Sequence, residues 1–249
     1  MNQIESIATF RANEVRKALG LSAFESIDII KVLRENEDVN FILKPFESRI
    51  SGMFLRLGTT KVIVLNTART LGHQRFTAAH EYYHLCFDTG MMGGLCIAGR
   101  SKQTITSEAE ADLFAANLLM PAEGIAHSIY KRTRGVRKIT IDDVVNLEQK
   151  FGVSRAAMLI RLKKLGYLTE KQLSEMKEYP VIQTARILGY ELDLYQPTNR
   201  DAVLSSYAEK AKIALESGYI SEGRYRQLLL EAGLIDLIYG EEVETTETV

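Results

Sequence analysis

The apolar positions of this chain change their period along its length, and the changes mark out its elements. Residues 6–19 and 24–34 carry helical spacing, the second through Ile27, Ile30 and Leu33. The pattern then tightens to a period of two. Residues 51–57 and 61–66 are rich in strand formers and flank Gly58, Thr59 and Thr60, which predicts a β-hairpin. Such a hairpin offers an edge to which an extended peptide can add as a further strand. Residues 74–87 are helix-compatible again and run into a loop carrying Gly90, Gly93, Gly94 and Gly99. A second strong helix is predicted over 108–120. Ser107 with Glu110 three residues on reads as a capping box, and Pro121 stops the helix.

Strand-like patterning almost vanishes beyond Pro121. Helices are predicted over 141–151, 155–165, 170–177, 203–217 and 222–230. The end of the chain, 241–249, holds Glu241, Glu242, Glu244 and Glu247 without a cation and reads as a disordered tail. The expected class is α+β, in three regions: 1–128 with the hairpin and the two strong helices, 129–178 helical, and 179–249 helical with the acidic tail.

Composition narrows the setting. With 46% hydrophobic and 25% charged positions in 249 residues, the chain matches a globular protein able to bury a large core. Lysine and arginine number 31 against 32 carboxylates, so electrostatic partners must be sought locally. No apolar run approaches the ~20 residues of a membrane span, and the first residues show no apolar signal segment. Cys86 and Cys96 are too few for a disulfide framework. The expected compartment is the cytoplasm, with no membrane partner.

The chemistry concentrates in His80-Glu81-Tyr82-Tyr83-His84, a match to H-E-x-x-H. Four residues of helix make just over one turn, so both imidazoles project from one face and can share a metal. Glu81, about 100° round from His80, can act as the base that takes a proton from the attacking water. With four histidines and 32 acidic residues, chance produces such a match in fewer than about one such chain in a hundred. A catalytic zinc needs a third protein ligand and an open position. Glu108 is the choice, because it shares a helix face with Asp112 and with the small residues Ala111, Ala115 and Ala116, which permit close approach. Glu110 points elsewhere. Asp112 is placed to accept the second ring proton of His80 or His84. Tyr83, His127 and Tyr130 are the candidates for stabilising the oxyanion. Cys86 is about 240° from His80 on the helix, and both cysteines read as core residues.

Three segments, 75–84, 108–116 and 118–121, resemble the ImmA/IrrE metallopeptidases, bacterial and phage enzymes of the gluzincin type. The resemblance covers about residues 41–121 and weakens thereafter. It implies a zincin-like catalytic domain with one zinc ion, and it puts the zinc-binding glutamate on Glu108. Many members carry a small residue before the second histidine, where this chain has Tyr83, a difference that bears on the width of the cleft. The resemblance further implies limited cleavage of a helix-turn-helix repressor that controls a mobile element or a stress response.

A competing reading comes from 131–164, where Lys131, Arg132, Arg134, Arg137, Lys138, Lys150, Arg155, Arg161, Lys163 and Lys164 face only Asp142, Asp143 and Glu148. Two predicted helices joined by Gly152-Val153-Ser154 lie inside it, the outline of a helix-turn-helix that binds DNA directly. In that case the chain is a DNA-binding or toxin-antitoxin-type regulator and its zinc is structural. An intact Glu81 argues against this, because a structural site needs no base.

Overall fold

A computed structural model describes residues 3–36, 38–88, 92–97, 106–136, 138–204 and 207–231. The expected 241–249 tail, Gly90 and Gly99 lie outside them. The chain begins with α1 (Gln3–Ala18) and the short α2 (Ile29–Arg34), followed by β1 (Val39–Lys44), β2 (Ile50–Leu57) and β3 (Thr60–Asn66). Then come α3 (Leu71–Phe87), β4 (Gly93–Ile97), α4 (Thr106–Leu119) and α5 (Ala122–Thr133). The remainder is α6 (Ile141–Phe151), α7 (Arg155–Lys164), α8 (Glu170–Lys177), α9 (Val181–Ile187), a 3₁₀ turn at Asp193–Tyr195, β5 (Ala202–Leu204), α10 (Tyr207–Glu216) and α11 (Glu222–Glu231). The architecture is α+β, with one small sheet against a large helical body.

The five strands lie in the order β4-β2-β3-β1-β5. The β1/β3 pair is parallel and the other pairs are antiparallel. Strand alternation sends Val39, Phe41, Leu43, Ile63 and Leu65 into the core, where the helices cover them. The β2–β3 hairpin forms as expected, but it keeps no free edge, because β4 takes the far side of β2 and β1 takes the far side of β3. Among the described residues the outer strands are β4 and β5, and β4 is built from Gly93 and Gly94 where a loop was expected. Pleat geometry explains the difference: the glycines give β4 little alternating apolar signal, yet its backbone pairs with β2 from Leu55↔Gly93 to Ile50↔Ile97.

Helix α3 lies on the inner face of the sheet. Its approach to β2 depends on Gly52, where an added Cβ would meet the Thr77 methyl at 2.5 Å. Alanines line the seams beside it: Ala78 and Ala79 of α3, Ala111 and Ala115 of α4, and Ala8 and Ala12 of α1 are fully buried. Small side chains let the three helices pack closely.

The core does not stop at residue 128. Val144, Leu147, Phe151, Val153, Met158, Leu159 and Leu162 belong to the same apolar cluster as Ala8, Phe41 and Ala78. At the start of α3, a Cβ on Gly72 would meet Ser154 N at 2.7 Å, so the α6–α7 turn rests directly on the motif helix. The C-terminal region also reaches back. Val203 and Leu204, read as the start of a helix, belong to β5 on the edge of β1, and the Leu71 amide donates to the Gln196 carbonyl at 2.9 Å.

Candidate metal centre

Helix α3 places His80 and His84 on one buried face, 4% and 1% exposed. Two contacts from β2 fix the end of that helix. Phe54 stacks on the His84 ring at 5.0 Å and 7°, and the Arg56 guanidinium donates to the carbonyls of His84, Leu85 and Asp88 at 3.2, 2.6 and 3.0 Å. A cation thereby satisfies the orphan carbonyls at the negative end of the α3 dipole.

The first turn of α4 brings Glu108 across. Its two carboxylate oxygens lie 3.3 Å from His80 Nε2 and 3.2 Å from His84 Nε2, and the two Nε2 atoms are 3.1 Å apart. Ligands at about 2.0–2.1 Å from a tetrahedral zinc stand about 3.3–3.4 Å from one another. The two imidazoles therefore stand about as far apart as two ligands of one such ion, and the Glu108 carboxylate lies beside both. The outward ring nitrogens are tied off by carboxylates: His80 Nδ1 is 2.9 Å from Asp112 Oδ1, and His84 Nδ1 is 3.3 Å from Asp88 Oδ2. That arrangement leaves both Nε2 atoms for a metal. The Ser107 hydroxyl donates to Asp88 in turn.

Glu81 sits beside this cluster, 1% exposed, and its Oε1 has no hydrogen-bond partner among the described residues. Burial raises its carboxyl to about 7 against the opposing charge of His80 and His84. Burial by itself pulls His80 down, but the hydrogen bonds to Asp112 and Glu108 outweigh it, with help from Glu81, and carry the ring to about 10. Glu108 is held well below the usual carboxylate range by its bonds to His80 and His84.

Each residue singled out from the sequence has a definite place. His80, Glu81, His84, Glu108 and Asp112 come together in one cluster. Tyr83 points away from it: its hydroxyl donates to Glu110 and accepts from Arg11, and Arg11 also reaches Glu110 at 3.1 Å. Glu110 thus joins α1, α3 and α4 and is not a capping-box partner, since α4 already includes Ser107. His127 lies against the Phe24 ring at 5.0 Å and Tyr130 is 68% exposed, both on α5 and without a described contact to the cluster. Sequence reasoning missed Asp88, although it stands one helical turn after His84. It also missed Cys96, read as core: its sulfur lies within 4.8 Å of ligand atoms of His80 and Glu81. Cys86 is exposed.

The basic segment is committed internally to a large extent. Arg155 pairs with buried Glu148, and Arg161 donates to the Met120 carbonyl at 3.0 Å and to Asn117 at 2.7 Å. Arg132 bonds Asp143 at 2.8 Å, and Lys163 and Lys164 meet Glu170 and Glu5. Gly152 and Ser154 do form a left-handed turn and an N-cap, and α7 buries Met158, Leu159 and Leu162 while Ile160, Lys163 and Lys164 are exposed.

An α+β scaffold with a histidine pair on one helix, a glutamate between them and a carboxylate from the next helix defines a metallopeptidase. The family model Peptidase_M78, the IrrE N-terminal-like domain, matches residues 34–163, just over half of the 249 residues, and the chain belongs to that family. No curated protein matches the chain. Among the described residues no helix is long and apolar enough to cross a membrane.

Proposed function

We propose that the protein is a cytoplasmic zinc-dependent endopeptidase that makes a limited cut in a helix-turn-helix transcriptional repressor. The observation that carries the zinc reading is the pair of Nε2 atoms 3.1 Å apart, each with one Glu108 carboxylate oxygen at 3.2 or 3.3 Å. When bound there, zinc supplies a Lewis acid that polarises the scissile carbonyl and makes water acidic. His80, His84 and Glu108 would hold it, while Asp112 and Asp88 keep the two rings oriented.

Glu81 takes the proton of the attacking water and returns it to the leaving amide nitrogen. Its burial and free Oε1 suit that task, because an exposed or hydrogen-bonded carboxylate would be a weaker base. The outer edge of β4 offers backbone groups to an extended substrate, so main-chain bonds position the peptide beside Glu81. Selection of a repressor is an implication of the family, and the material after α5 supplies surface for it. A structural-zinc regulator would have no use for an unpartnered base beside its metal.

The test is incubation of zinc-loaded protein with the repressor encoded in the neighbouring reading frame and, separately, with casein, using Glu81→Gln as the control. One discrete cut in the repressor, none in casein and none with the variant is the expected result. General casein digestion with an intact repressor overturns the substrate assignment.

A further inference from the structure

The first turn of α4 engages His84 at both of its ring nitrogens. Glu108 sets a carboxylate oxygen 3.2 Å from Nε2. The residue before it, Ser107, donates its hydroxyl to Asp88 Oδ2, the same oxygen that stands 3.3 Å from His84 Nδ1. Asp88 lies one residue past the end of α3 in a non-helical conformation, so the helix does not fix its side chain. Its backbone is held, because the Asp88 amide donates to the His84 carbonyl at 3.2 Å and Arg56 donates to the Asp88 carbonyl at 3.0 Å. The direction of the carboxylate is a separate matter, and the two hydrogen bonds that converge on Oδ2 settle it. An imidazole whose Nδ1–H is given to a carboxylate keeps its lone pair on Nε2, the atom that faces Glu108.

We propose that Ser107 is a positioning residue of the metal centre, which acts through Asp88 to fix the plane and tautomer of His84. The inference rests on the metallopeptidase reading. Consecutive residues of α4 then supply the third ligand and the hold on the second histidine. His80 is treated more directly, since its Nδ1 partner Asp112 belongs to α4 itself, at 2.9 Å. Helix α3 thus provides both rings, and α4 decides which nitrogen each of them presents.

Zinc affinity of the full chain, read by competition with a chromophoric chelator at fixed pH, should fall about tenfold in Ser107→Ala. Ser107→Thr, which restores the hydroxyl, should recover most of the loss. In an Asp88→Ala background Ser107→Ala should cost nothing further, because no carboxylate remains for it to act through. A second measurement needs no variant: in the zinc-loaded wild-type chain, nitrogen NMR should show His84 with its proton on Nδ1 and its metal on Nε2. Unchanged affinity in Ser107→Ala, an equal loss with and without Asp88, or metal on Nδ1 overturns the inference and leaves the metallopeptidase standing. A wild-type chain that takes up no zinc overturns both.

Discussion

At the scale of single residues, position around the α3 helix separates roles that the motif letters leave equal. His80 and His84 present Nε2 atoms to Glu108, whereas Glu81 keeps a buried carboxylate oxygen unengaged. Glu81→Gln should therefore retain its metal, as measured by metal analysis, while turnover falls roughly 10²- to 10⁴-fold. Unchanged turnover would remove Glu81 as the base. The metal-free site also makes metal uptake pH-dependent. His80 is raised to about 10, so at neutral pH the ring is protonated, and a metal can bind its Nε2 only after a proton leaves. Apparent affinity should rise with pH by about tenfold per unit between pH 6 and 8. Calorimetric titration in buffers of different ionisation enthalpy should count at least one proton released per metal, and a count of zero would contradict the charged His80.

At the scale of elements, the two glutamates of α4 do different work although they stand two residues apart. Glu108 faces the histidines, and Glu110 faces Arg11 and Tyr83. Glu108→Ala should lose metal and should also lower the stability of the metal-free chain, because the carboxylate that accepts from His80 and His84 is gone. Glu110→Ala should keep the metal and cost about 1–3 kcal/mol in denaturant unfolding, because it leaves a largely buried Arg11–Tyr83 pair without its acceptor. A metal-deficient Glu110→Ala would reverse the helix faces assigned here. The capping-box reading of Ser107 and Glu110 failed for a tertiary reason. Asp88 and Arg11 come from outside α4, and each offered one member of the local pair a stronger partner.

At the scale of the whole molecule, α6 and α7 contribute side chains to the same apolar cluster as the sheet and α3, and we propose that they fold together with residues 1–128. A fragment ending at residue 128 would lose Val144, Leu147, Phe151, Met158 and Leu162 from the cluster they share with Phe41, Ala78 and Ile125. It should fail to give a cooperative thermal transition and should bind a hydrophobic dye, whereas a chain ending at residue 204 should melt cooperatively. A sharp transition in the shorter fragment would support a boundary at 128.

The chain by itself determined whatever a local period can encode. The i, i+4 histidines, the glutamate between them, the shared face of Glu108, Asp112, Ala111 and Ala115, and the β2–β3 hairpin all follow from helix and strand repeats acting over a few residues. Tertiary structure decided what depends on partners distant in sequence. It put β4 on the sheet edge, although glycine supplies no alternation to read. It laid β5 against β1 across more than half the chain and turned Arg155 and Arg161 inward to buried acceptors. It also brought Cys96 to His80 and Glu81, a proximity set by strand pairing with Gly52, because no sequence period links an edge strand to the helix that lies beneath it.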